Sequence, residues 1–117
     1  LSGDLKIGGL LGSHPVCTQP RSCPGEALKT PIPVTESWHY SLGHWVEDDP
    51  AVGDGAFSSP GAFGFYPWID AGRQFYGIVA REERSGVLSG DPDSKPAVRS
   101  VECGRLMRQA WLLGHAP

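Results

Sequence analysis

From Ser58 to Arg81 the chain reads as two apolar strands joined by a very short turn. This segment limits the possible folds more than any other. Ala62 to Asp70 carries Phe63, Phe65, Tyr66 and Trp68, then comes Ala71-Gly72-Arg73, and Gln74 to Arg81 carries Phe75, Tyr76, Ile78 and Val79. Aromatic and β-branched residues favour strands, and so short a connection joins them only as an antiparallel hairpin. Gly72 is expected to supply a positive φ in the turn. Alternation places Phe63, Phe65 and Ile69 on one face and Tyr66 and Trp68 on the other. Both faces are then apolar, so the strand is expected to be covered on both sides.

Three other regions can be read around this hairpin. Trp38 to Glu47 has the composition of a strand, in which Gly43 marks a bulge or a close backbone approach. Asp48-Asp49-Pro50 ends it. At the other end, Asp93 and Ser94 can cap a helix that begins at Pro96. Val98, Val101, Cys103, Leu106, Met107, Ala110 and Leu113 recur at helical spacing as its apolar stripe, with Arg99, Glu102, Arg105 and Arg108 elsewhere. Gly114 suits its C-cap. Residues 1–36 are irregular and loop-rich. Leu5, Ile7, Leu10 and Leu11 are interrupted by glycines, and Ser13 to Pro33 reads as loop. The expected fold class is therefore α+β: antiparallel sheet strands (hairpin 62-81 plus strand 38-47) packed by a C-terminal helix.

With 117 residues the chain suffices for one modest domain. Its 16 glycines and 11 prolines fall in no repeat and lie among aromatics, which indicates turns rather than low complexity. The net charge of -3 is spread over mixed signs. No basic stripe fits nucleic acid, and no apolar run is long enough for a membrane span. No metal site is expected. His39 and His44, read as members of one strand, fall on opposite faces, and His14, Cys17 and Cys23 have irregular spacing for zinc. Cys17 and Cys23 can close a small disulfide loop in an oxidising compartment or remain free; Cys103, within the helix, is expected to be a buried small hydrophobe. Asp48 and Asp49 resemble a carboxylate pair, but their Pro-flanked loop points to solvated side chains with no third group holding them. Phe65, Tyr66, Trp68, Phe75 and Tyr76 read first as core and second as a stacking surface.

Tyr40-Ser41-Leu42-Gly43-His44-Trp45, then Ser58-Ser59-Pro60-Gly61-Ala62-Phe63-Gly64, the hairpin and the closing helix together resemble the C-terminal part of the serine β-lactamase-like hydrolases. That family includes penicillin-binding proteins, class C β-lactamases and related esterases. The resemblance covers residues 37–113, so 37–117 is expected to be the C-terminal part of such a domain and the whole a partial β-lactamase-like fold. It implies an enzyme cleaving ester or amide bonds through an acyl-serine, without a cofactor, on a small-molecule acyl substrate. Location outside the cytoplasm is the family expectation. Substrate-binding and oxyanion roles then fall on Ser58, Ser59, Gly61 and Ala62; in the bland reading Ser58 and Ser59 are turn residues.

The nucleophile motif S-x-x-K is missing, since no serine is followed by lysine three residues on. Phe57 stands where the third motif would place a cation. The chain alone is therefore expected to be inactive, and with Leu1 in place of a Met it reads as part of a longer frame. The alternative is a small non-catalytic binding module that uses exposed aromatics.

Overall fold

The structure, a computed structural model, describes residues 16–17, 36–84 and 95–117. Its elements are β1 (Val16–Cys17), β2 (His39–Ser41), β3 (His44–Val46), β4 (Phe57–Ser58), β5 (Tyr66–Ile69), β6 (Tyr76–Val79) and α1 (Pro96–Leu113). The six strands form one sheet in sequence order, each antiparallel to its neighbour. The α+β class and a hairpin within 62–81 agree with the sequence. The expected strand from Ala62 to Asp70 is shortened to Tyr66–Ile69, because Gly61 N–H donates to the Phe65 carbonyl and Gly64 takes φ 98, which makes 61–65 a turn. Strand β1 was not expected, because its residues fall in the stretch read as loop. The disulfide reading of Cys17 with Cys23 and the caps Asp93 and Ser94 lie outside the described residues.

The expected single strand 38–47 is instead a tight hairpin. Ser41 pairs with His44 across a turn formed by Leu42 (φ 27) and Gly43 (φ 91). Two successive residues at positive φ match the right-handed twist of the flanking strands, and glycine takes the more demanding of the two positions. Gly43 is thus neither a bulge nor a close approach. In the β5–β6 turn the positive φ falls on Arg73 (φ 57), not on Gly72. Asp70 compensates for it: its Oδ1 accepts the N–H groups of Gln74 at 2.6 Å and Phe75 at 2.8 Å.

Directly opposed residues share a sheet face, so the register sorts the side chains. One face carries Trp45, Ser58, Tyr66, Trp68 and Val79, and α1 lies across it. Trp38, Tyr66, Trp68 and Val101 form the buried core. The other face carries His44, Val46, Phe57, Pro67, Ile69, Tyr76 and Ile78. Of these Ile69, Tyr76 and Ile78 are exposed, so β5 and β6 are covered on one face rather than two.

α1 starts at Pro96, has Lys95 at its N-cap without a side-chain capping bond, and ends at Gly114 in the left-handed conformation. Its inner face keeps Val98 and Val101 of the expected stripe but not the rest. Ala97, Val98, Ser100, Val101, Gly104 and Arg108 are buried, whereas Cys103, Leu106, Met107 and Leu113 are exposed. The rings of Tyr66 and Trp68 already fill the space under the helix, so small residues must face them. A Cβ on Gly104 would lie 2.3 Å from Tyr66 Cε1. Ser100 Oγ donates to the Gly64 carbonyl at 2.6 Å and ties the helix to the turn before β5.

Candidate functional site

Two places among the described residues concentrate chemistry. The first is an open cavity of about 500 Å³ on the face away from α1. Its apolar floor is built by Phe57, Pro67, Ile69 and Ile78, with the rings of His44 and Tyr76 beside them. The His44 and Phe57 rings meet edge-on at 5.3 Å. Ser59 is the exposed polar group at the margin, and Arg73 and Gln74 close the end nearest the β5–β6 turn. An apolar floor with a few polar groups at the rim is the usual composition of a small-molecule site.

The four residues expected to contact substrate divide between this cavity and the turn beyond it. Ser58 and Ser59 line it, while Gly61 and Ala62 do not. Ser59 N–H donates to the Pro67 carbonyl at 3.1 Å, and Gly61 N–H donates to the Phe65 carbonyl at 2.8 Å. The Gly61 donor assigned to an oxyanion hole is thus spent inside its own turn, and a Cβ there would come within 3.2 Å of that same carbonyl oxygen. Gly61 serves the turn. Ser58 is buried on the α1 side, opposite Trp68. Its hydroxyl lies close enough to Glu47 to favour the carboxylate, yet among the described residues no partner meets it at hydrogen-bonding geometry.

The second place is a buried ionic cluster that joins α1 to the sheet. Arg108 reaches from α1 between three groups: Nη2 to Glu47 Oε2 at 2.8 Å, Nη1 to the Tyr66 hydroxyl at 2.8 Å, and Nε to Asp54 Oδ2 at 2.5 Å. Tyr66 donates its hydroxyl proton to Glu47. The guanidinium also stands over the Trp68 ring, 5.0 Å from its centroid. One turn earlier, Arg105 forks onto Glu36 at 2.9 and 3.1 Å, and Trp38 Nε1 donates to the same carboxylate. These bonds offset most of the penalty that burial places on the charges, although Arg105 Nε is buried with no hydrogen-bond partner among the described residues.

Burial raises the Glu47 carboxyl above the ordinary range, with Arg108, Tyr66 and Ser58 pulling the other way. Burial also raises Tyr66, which stays a neutral donor. Burial opposes the Arg108 charge, but Glu47, Asp54 and Tyr66 outweigh it and hold the guanidinium protonated. With its folded-state pKa raised, Glu47 binds its proton more tightly folded than unfolded. Its contribution to stability is greatest below the unfolded value of 4.5 and falls as pH rises through the folded value. Urea unfolding at stepped pH should therefore show the stability of the unmodified chain falling relative to that of Glu47→Gln as pH rises from 4.5. A difference that stays flat would remove Glu47 as the titrating group.

The carboxylate pair also departs from expectation. Asp48 is held by His39, whose Nδ1 lies 2.8 Å from Oδ2. Asp49 is buried and accepts the N–H groups of Ser37 at 2.7 Å, Ala51 at 2.8 Å and Val52 at 3.0 Å. The bond from Ser37 is the main cause of its lowered pKa. His39 and His44 share a sheet face because a hairpin turn separates them, yet no cluster of metal-ligating residues exists among the described residues. The sequence signal for the ionic cluster was Arg105 and Arg108 three residues apart on one helix, placed there off the apolar stripe.

The chain matches no protein-family model, no curated protein and no solved structure.

Proposed function

We propose that this chain supplies the substrate-side wall of a serine hydrolase acting on ester or amide bonds, a partial β-lactamase-like fold whose acyl-forming serine comes from polypeptide beyond these 117 residues. The cavity on the open face of the sheet carries this reading, because its apolar floor fits an acyl chain and Ser59 stands at its margin. In this reading Ser59 orients the carbonyl by hydrogen bonding, and Ile69 and Ile78 hold the acyl tail away from water. Gly61 shapes the turn that presents Ser59 and has no oxyanion role. The chain alone should bind such a substrate without turning it over.

A second reading, a non-catalytic binding module, draws on the same cavity through its aromatic lining. Titration of the ¹⁵N-labelled chain with p-nitrophenyl butyrate, and with the matching ether that lacks the carbonyl, separates the two. The hydrolase reading expects saturable shifts at Ser59, Ile69 and Tyr76 for the ester, weaker binding of the ether, and no nitrophenolate release above the buffer rate. Ile69→Asp should weaken ester binding by about tenfold or more, the value of one buried aliphatic side chain. Equal binding of ester and ether favours the module. No shifts at the cavity would defeat both.

A further inference from the structure

Among the described residues, strand β6 leaves one edge of the sheet open. Asp70 N–H donates to the Phe75 carbonyl, and the same register sets Trp68 opposite Gly77 and Tyr66 opposite Val79. Alternation then turns the backbone groups of Phe75, Gly77 and Val79 toward β5, and those of Tyr76 and Ile78 away from it. Glu83 N–H donates back to the Phe63 carbonyl, so the chain follows this edge to residue 83 and Ala80 also faces outward. Among the described residues no strand lies beyond β6. Soluble proteins usually guard such an edge with a lysine, a proline or a bulge. Here Gln74-Phe75-Tyr76-Gly77-Ile78-Val79-Ala80 has neither charge nor proline. Tyr76 and Ile78 are exposed, and at the same edge Trp111 of α1 stacks on Phe75 at 5.4 Å while remaining 70% exposed.

We propose that this edge pairs with the same edge of a second copy of the chain, antiparallel about a twofold axis through Ile78. Any axis that passes through a residue of this strand places outward backbone groups against outward backbone groups, and the two nearest the middle of β6 pass through Gly77 and Ile78. An axis through Gly77 would set Arg73 against the partner's Arg81, a like-charge contact at each end of the ladder. An axis through Ile78 sets Arg73 against the partner's Glu83, Gln74 against the partner's Glu82 and Phe75 against the partner's Arg81. The second arrangement is complementary in charge and gives Phe75 a cation to face, with Arg73 joining acidic groups that already meet cations of their own chain, Glu83 with Arg81 and Arg99 and Glu82 with Arg84. Arg73 is exposed and takes part in none of the ion pairs among the described residues, so it is available for this contact. Each copy keeps α1 over β5 and β6, so the two helices would lie side by side over the doubled sheet, with Trp111 extending the contact. The proposal does not depend on the acyl-binding reading.

Sedimentation equilibrium of the chain tests it, together with amide hydrogen exchange at low and high protein concentration. The expected result is a monomer–dimer equilibrium in the micromolar range, with the amides of Tyr76, Ile78 and Ala80 protected only in the dimer. Ile78→Lys places two charges on the axis and should leave a monomer with an unchanged circular dichroism spectrum. Arg73→Glu should weaken the dimer about tenfold or more, because it faces the partner's Glu83. A chain that stays monomeric with these amides exchanging freely overturns the proposal, as does a dimer that survives Ile78→Lys or protects only α1. A dimer that Arg73→Glu strengthens or leaves unchanged overturns the register.

Discussion

Replacing Arg108 by methionine is expected to destabilise the chain by about 3–5 kcal/mol, a large share of the stability of a domain this size. The loss comes from what the guanidinium leaves behind. Glu47 is fully buried, and Arg108 is the cation nearest to it, at 2.8 Å; Arg105 stands at 3.6 Å. Tyr66, also fully buried, loses its Nη1 donor, and the Trp68 ring loses the cation above it. Urea unfolding followed by tryptophan fluorescence measures the effect. Arg108→Lys should recover only part of the loss, since an ammonium cannot serve Glu47, Asp54 and Tyr66 in one plane. The double variant Arg108→Met, Glu47→Leu should be more stable than the sum of the two single losses, because the stranded charge is gone. If Arg108→Met unfolds within about 1 kcal/mol of the unmodified chain, the cluster does not hold α1 to the sheet.

Gly104→Val should cost about 3 kcal/mol, near the upper end for added bulk in a packed core. The contact explains the size. The first added carbon would stand 2.3 Å from Tyr66 Cε1 and 3.1 Å from Trp68 Nε1. Tyr66 cannot swing aside, because its hydroxyl is fixed by Glu47 and Arg108. The helix must instead rise from the sheet, which strains the Ser100 bond to Gly64 as well. Gly104→Ala is the sharper comparison. Alanine gains about 1 kcal/mol of helix propensity over glycine, so its net loss should be near 1 kcal/mol. Thermal melts of both variants test the order; a stabilised Gly104→Ala would mean that the helix sits farther from Tyr66 than this packing allows.

These two residues also show where reading the sequence reached its limit. The helix itself was legible: Pro96 opens it and Gly114 closes it, and both act through backbone geometry that any sequence context shares. Its buried face was not. Periodicity ranks residues by apolarity, and by that measure Leu106, Met107 and Leu113 belong inside and Arg108 outside. The fold reverses this because two rings from β5 occupy the groove and a carboxylate from beyond β3 waits beneath the helix. Arg108 and Glu47 are 61 positions apart, and nothing local in either segment announces the other. The candidate site divides in the same way. Ser58 and Ser59, assigned substrate-binding roles, lie along the cavity, but the donor assigned to Gly61 is consumed by its own turn. His44 and Ile78 join the cavity only through strand register.

What the amino-acid sequence determined alone was local: antiparallel hairpin geometry in 62–81, helix ends at Pro96 and Gly114, and the absence of a serine followed by lysine three residues on. These depend on φ preferences, alternation and residue identity within a few positions. The tertiary structure decided which face of β5 and β6 is covered, that 38–47 folds back on itself, that Glu47, Arg108 and Tyr66 form one cluster, and that among the described residues no strand lies beyond β6. Each of these depends on desolvation and on contacts between distant segments, whose energies exist only once the chain has closed on itself.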